Sequence, residues 1–359
     1  MPATQTPRLG SHAQPPLNPV EQVAQLRAKA RRRPRAVIIS LLLVLVAVFF
    51  ARVLLGSYTV TLPDFITILQ GGNIEGARGA RFIVLSDKLP RAVLGTLTGL
   101  AFGCGGAIFQ LLLRNPLASP DIIGISSGAS LGAVLGIVFW GATGFQISLL
   151  AVTCSLLIAV VIMLLSLGQG SVGNRFILMG IGIAALASAV VNYLLTRIDI
   201  NSAQSAMVWM TGSLSVANWD RIGMILIALC LLFPLVMIFH RKLHVIAVGE
   251  ELAQSLGLNV ALTRWLFIVL GVFLAAVATA ATGPIAFVAF VSGPIARRLL
   301  RGRHCLTASA LVGAIIVVFA DFLAANFIPG GAMPVGVLTG AFGAPILIWL
   351  LVQSQKEGQ

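Results

Sequence analysis

The sequence predicts an all-α fold, a polytopic membrane protein of about ten transmembrane helices, and three observations carry that prediction. Of 359 residues, 58% are hydrophobic and only 10% charged, with a mean hydropathy of +1.00. A soluble domain of that size cannot hide so much apolar surface, whereas stacked helices facing lipid can. Apolar stretches near the ~20 residues needed to cross ~30 Å of hydrocarbon recur about ten times along the chain. Lysine and arginine fall unevenly between the connections that join them.

Taken in order, residues 1–30 are rich in Pro, Gln and Ala, and with the basic run to Arg35 they read as a disordered cytoplasmic tail, 1–35. The first apolar run, 36–55, starts too late for a cleavable signal and is long enough to stay as an anchor. The second, 89–113, opens on Pro90, which a first helical turn tolerates. It carries Gly95, Gly99 and Gly103 at every fourth position, then Gly105 and Gly106. Gly124, Gly128, Gly132 and Gly136 repeat that spacing in 121–141. Lipid supplies no hydrophobic drive between helices, so small residues that permit close approach point to tight packing. A conduit lined by backbone is the second reading of the same glycines. Spans 146–168, 176–196 and 222–239 follow. Residues 263–282 and 283–296 form one apolar run broken at Gly283-Pro284, and its second part is short for a crossing. Spans 306–327 and 334–352 complete the 36–352 permeation domain, leaving 353–359 as a short tail.

With those spans, seventeen basic residues share the side of the N-terminus and seven lie opposite. Cytoplasmic loops are the basic ones, which places both termini inside and the chain in the cell membrane. The formal charge of +13 is then topology plus attraction to anionic lipid, with no call for nucleic acid.

Several chemistries are excluded. Cys104, Cys154, Cys230 and Cys305 are scattered, and His12, His240, His244 and His304 all fall in inside-facing segments, so no metal site, no catalytic residue and no bound cofactor are expected. Phosphate-loop, nucleophile-elbow and zinc-protease patterns are lacking. Ionisable residues within the spans are few. Asp121 sits at the mouth of the third and Asp321 toward the outer end of the ninth, where a structural bond is expected. That scarcity argues against an ion-coupled secondary transporter, the alternative of another class.

Two connections carry more chemistry than a turn needs. "LLLRNPLASPDIIGISSGAS" (111–130) sets Arg114, Asn115, Pro116, Pro120 and Asp121 between two apolar runs. It reads as a surface turn or as a moving part at the mouth of a path. "RKLHVIAVGEELAQSLGLNVALTRW" (241–265) is amphipathic, with Ala253 and Leu256 expected on one face and glutamates at the start of a turn, where the helix dipole favours them. The residues alone leave it open between an interfacial helix and a short helix inserted into a partner's groove.

"LPRAVLGTLTGLAFGCGGAIFQLLLRNPLASPDIIGISSGASLG" (89–132) resembles the signature of the FecCD family, the permease subunits of ABC importers for ferric siderophores, haem and cobalamin. "AVGEELAQSLGL" (247–258), "GPIAFVAFVSGPIARRL" (283–299) and "ADFLAANFIPGGAMPVGVLTGAFGAPILIWLL" (320–351) resemble further blocks of that family, in family order from about 36 to 352. The resemblance implies a type II ABC importer permease fold. It also implies a second permease subunit (a heterodimer is favoured over a homodimer), two ATPase subunits that use ATP and Mg, and an extracytoplasmic substrate-binding protein. It makes Asn115, Pro116 and Leu117 a cytoplasmic gate. Gly249, Glu250, Glu251, Ala253, Leu256 and Gly257, within a coupling loop at 241–262, become the contact to the ATPase. Lys88 and Arg91 become the dock for the binding protein. A ferric siderophore of the enterobactin type is the implied cargo, with cobalamin and haem as alternatives. Two positions depart from the family: Gly293-Pro294 where Pro-His is frequent, and Ala325-Asn326 where some members carry a basic residue.

Overall fold

The computed structural model describes residues 19–56, 58–72, 79–121, 123–166, 172–327 and 333–356, and among these it contains helices and no strand. The helices are α1 Pro19–Leu54, α2 Leu62–Leu69, α3 Ala80–Phe82, which runs through a π-helical stretch Ile83–Lys88 into α4 Leu89–Leu112, then α5 Ile125–Trp140, α6 Phe145–Ser166 and α7 Val172–Leu195. They continue as α8 Ile200–Thr211, α9 Trp219–Val248, α10 Glu250–Ser255, α11 Val260–Thr282, α12 Val288–Leu299, α13 Leu306–Asn326 and α14 Val335–Lys356. Each of the ten expected stretches falls on a helix. Seven helices among the described residues are long and apolar enough to cross a membrane, and α5 and the Val335–Trp349 part of α14 are shorter apolar helices. The piece expected to be short, 283–296, becomes α12, with 12 residues. The first eighteen residues of the expected tail lie outside the described residues, and from Pro19 its backbone is already helical and continuous with the first span.

Helix starts follow local chemistry. Asn218, Asn259 and Asp199 accept backbone N–H bonds from Arg221 (2.8 Å), Leu262 (3.0 Å) and Ser202 (2.9 Å), capping α9, α11 and α8.

The centre of the molecule is α4, which packs on α13, α11, α12 and α9 and buries residues on every side. Its glycines explain how. A side chain at Gly99 would strike the α13 backbone at Gly313 and Ala314, one at Gly103 the carbonyl of Ser309, and one at Gly106 the carbonyl of Ala289 on α12. Gly128, Gly132 and Gly136 in α5 do the same work against Leu150, Cys154 and Ser155 of α6, while Gly124, just before α5, faces Gly180 and Ala184 of α7. Small residues let these backbones touch, so van der Waals contact replaces the missing hydrophobic drive.

The ends of α1, α4 and α13 meet in a buried polar corner. Arg52 Nε donates to Asp321 Oδ2 with both side chains almost fully enclosed, at 3% and 5% exposure. Asp321 therefore has the structural role expected of it. Beside the pair, Lys88 is buried, and its ammonium donates to the carbonyls of Leu55 (2.9 Å) and Tyr58, beyond the end of α1. Those oxygens have no helical donor, and a cation is the favoured group at a helix C-terminus.

Breaking such a pair strands one charge, so Asp321→Leu alone should cost about 3–5 kcal/mol, whereas Arg52→Met with Asp321→Leu should stay within about 1 kcal/mol of the parent. Thermal melting of the detergent-solubilised chain reads both, and a single variant as stable as the parent would dismiss the pair as a tie.

Candidate functional site

The segment 114–118 is a turn built from its own sequence. After α4, the N–H of Asn115 donates to Gln110 O at 3.2 Å while Arg114 takes a left-handed backbone, φ +48°. That is the closure that usually ends in glycine. The Asn115 side-chain oxygen then accepts from Leu117 N–H (2.9 Å), and Ala118 N–H donates to Asn115 O (3.1 Å). Pro116 occupies the second position of this turn, where its fixed φ fits. Pro116 is exposed and Leu117 half-buried. Asn115, Pro116 and Leu117 thus form one compact unit at the end of α4.

At the same end, α10 is seated differently from the sequence expectation. Ala253 is fully buried and packs with Ile246 and Val260. The outward face instead carries Leu252 and Leu256, one turn apart and 48% and 67% exposed, with Val248 just before them at 74%. Ala253 and Leu256 do not share a face. Gly257, at φ +76°, sits in the left-handed position of the closing turn, where Leu258 N–H donates to Ala253 O at 2.9 Å. Glycine adopts that backbone without strain. Gly249 is extended and needs no glycine, and Glu250 and Glu251 stand in the first turn. Glu250 Oε1 accepts from Arg264 Nη2 at 2.5 Å and lies 4.0 Å from Arg114 Nη2. The two sequence-predicted sites, 114–118 and α10, are therefore neighbours.

At the opposite end the expected pair divides. Lys88 is committed to backbone carbonyls in the buried corner, not to a rim. Arg91 keeps partial exposure and pairs with Asp87 at 2.8 Å, one turn back. Arg81 donates to Gly71 O at 3.4 Å, and Arg78 lies outside the described residues.

Between these ends is a cavity of about 630 Å³, which sequence reasoning did not foresee, lined by Ser119, Asp121, Ser126, Ser127, Thr211, Phe287, Phe290 and Gly336 among others. Asp121 accepts from the Ser126 hydroxyl. Phe287 holds a left-handed backbone, φ +65°, and packs on the bare face of Gly343. It also borders a second, almost wholly apolar cavity of about 260 Å³ between α12, α13 and α14. The one sequence signal was the break at Gly283-Pro284, which ends α11 and lets α12 restart beside α4.

Both departures from the family pattern have local reasons. Any side chain at Gly293 would overlap the carboxamide of Gln110, which donates to Phe290 O at 2.9 Å. Asn326 donates to Phe322 O at 2.7 Å, and its side-chain oxygen fills the space a Cβ on Gly56 would need.

The FecCD transport family matches residues 42–353. The Fe(3+)-citrate import system permease protein YfmE of Bacillus subtilis is 33% identical over 328 residues, covering 90% of this chain and 96% of that one. The ferric enterobactin transport system permease protein FepG of Escherichia coli is 33% identical over 303 residues, covering 84% and 91%. A metal-chelate type ABC transporter solved in an inward-facing conformation superposes with a TM-score of 0.79 at 25% identity, covering 89% of this chain and 99% of that one. The family match spans most of the helical bundle, and the chain belongs to the FecCD transport family, a multi-pass membrane permease subunit of an ABC importer that leaves ATP hydrolysis to other subunits.

Proposed function

We propose that this permease moves a ferric siderophore or related ferric chelate across the cytoplasmic membrane, driven by ATP hydrolysis in two partner subunits. The relatives named for ferric citrate and ferric enterobactin support the cargo. The observation that carries the coupling is α10, a short helix that turns Leu252 and Leu256 outward beside the turn that ends α4. In this reading α10 and both termini face the cytoplasm and a second permease, unlike this one, completes the pathway. An extracytoplasmic binding protein delivers the chelate. Asn115, Pro116 and Leu117 form the inner gate. The side-chain oxygen of Asn115 is taken by its own turn, so a bond to the second permease falls to its NH2 group. The cavity above supplies hydroxyls, one carboxylate and aromatic faces to a bulky cargo. An ion-coupled carrier is disfavoured by the same geometry, since Asp321 is spent on Arg52 and Asp121 on Ser126.

Uptake of radiolabelled ferric chelates by a strain lacking this gene should fall at least tenfold and return with the gene, and reconstituted uptake should require ATP. In the same liposomes Leu117→Ala should raise chelate leak without ATP, because an apolar constriction closes by excluding water. Normal chelate uptake in the deletion strain would overturn the proposed cargo, and an unchanged leak would return 114–118 to a plain turn.

Leu252→Asp or Leu256→Asp should weaken ATPase assembly at least tenfold, about 1.4 kcal/mol, while leaving the melting temperature within a few degrees. Ala253→Arg should fail earlier, by losing the seat of α10 itself. Full ATPase assembly by the Leu252→Asp, Leu256→Asp pair would place the contact elsewhere.

At the outer rim the docking charge falls to Arg91. Arg91→Glu should slow association of the binding protein most at low ionic strength, since rim charges act mainly on encounter rate and are screened by salt. Stopped-flow rates equal to the parent at low salt would leave Arg91 as a partner of Asp87 only.

A further inference from the structure

Arg114 connects the two sites through its side chain. Its Nη2 donates to the carbonyl of Ile246 at 2.8 Å, in the last turn of α9, and stands 4.0 Å from Glu250 Oε1, in the first residue of α10. Glu250 is itself fixed from the far side by Arg264 at 2.5 Å, in the first turn of α11. The Ile246 oxygen belongs to the last turn of its helix, where carbonyls lack helical donors and the helix end is negative. A guanidinium is suited to both tasks, because its planar fork serves a carbonyl and a carboxylate together.

A second observation points to the same side chain. Position 114 has φ +48°, a region in which side-chain-bearing residues are uncommon and glycine is the low-strain choice. The turn that ends α10 has the same closure and uses Gly257, at φ +76°. The turn after α12 has the same closure with Arg301, at φ +52°, so the turn admits either residue, and what the side chain adds at 114 is its reach to α9 and α10. A residue held in a strained backbone well persists when its surroundings over-determine it, and such positions cluster at moving sites.

We propose that Arg114 is the positioning residue that transmits movement of α10 to the gate. This rests on the reading of α10 as the ATPase contact. When α10 shifts, Glu250 shifts with it and the end of α9, where Ile246 packs on Ala253, is pulled along, and the guanidinium follows both. The left-handed well is narrow for a residue with a side chain, so the backbone at 114 absorbs little of that displacement. It passes instead to Asn115–Leu117, which the Asn115 side chain and Pro116 hold as one unit.

The test uses the complete importer in liposomes, with its second permease, ATPase subunits and binding protein, and reads ferric chelate transported per ATP hydrolysed. Arg114→Gly suits the backbone while removing the tie. It should keep assembly and a melting temperature within a few degrees, and lower chelate per ATP about tenfold. Glu250→Gln should lower it less, and should add little to Arg114→Gly, as expected for residues in one linkage. Arg114→Lys, which keeps a cation without the fork, should recover part of the loss. Parent stoichiometry in Arg114→Gly overturns the proposal, as does a loss that follows assembly or melting temperature, or full additivity of the two substitutions. If Arg114→Gly does not assemble, Glu250→Gln at parent stoichiometry overturns it. Failure of the parent importer to move any ferric chelate would instead fault the proposed cargo.

Discussion

Contact of α4 with its neighbours at backbone distance is the constraint on which the rest of the structure depends. Gly99 and Gly103 face Gly313 and Ser309, and Gly106 faces Ala289, so two helices lie against α4 with almost nothing between them. A helix held that closely cannot rotate or slide without striking a carbonyl. Its last turn therefore delivers Gln110 to Phe290 and Arg114 to Ile246 from a fixed origin. The glycine at 293 extends the same logic, because the carboxamide of Gln110 fits only where no Cβ stands.

The two ends of this rigid centre are held by different electrostatics. At one, Arg52, Asp321 and Lys88 are enclosed, and separating their charges would leave an uncompensated ion out of water. At the other, Glu250 and Arg114 are 46% and 45% exposed, so their pair lies in solvent, while Arg264 holds Glu250 from a more enclosed side. An exposed pair such as Arg114–Glu250 is worth about 0–1 kcal/mol. The geometry is thus strongly fixed where α1, α4 and α13 meet and cheaply rearranged where α9, α10 and α11 meet. A transporter that takes its stroke at α10 needs that contrast.

Much of this was legible from residue order. Long apolar runs became helices, the four-residue glycine spacing became helix contacts, and a lone aspartate inside a span found its arginine. What was misread turned on which way short or irregular segments face. In a six-residue helix the spacing of Ala253 and Leu256 is compatible with one face, yet both sides of α10 are apolar. The seat provided by Ile246 and Val260 takes the smaller residue, leaving Leu252 and Leu256 outside. Lys88 was placed on a rim because the span was expected to open at Leu89 and the resemblance sets basic residues there, whereas the backbone is already helical from Ala80. The segment Ile83–Lys88 is π-helical, a wider turn that alters which side chains point inward. The cavity beside Phe287 left only the break at Gly283-Pro284 as a sequence signal, since it is formed by helix ends far apart in the chain.

The buried pair in the corner also sets an order of events during biogenesis. Arg52 and Asp321 are 269 residues apart, and synthesis at roughly 5–20 residues per second separates their emergence by about 15–50 s. Throughout that interval the first helix rests in lipid with an arginine whose carboxylate does not yet exist, at a helix end where a long side chain can still reach the headgroups. The end of α1 can meet α2 and the π-helical lead into α4 early, through Val53, Phe65, Val84 and the Lys88 bonds, but its tie to α13 waits. A nascent chain that stalls before α13 leaves the Arg52 charge of α1 unpaired by this carboxylate, open to quality-control proteases or to another chain's helix.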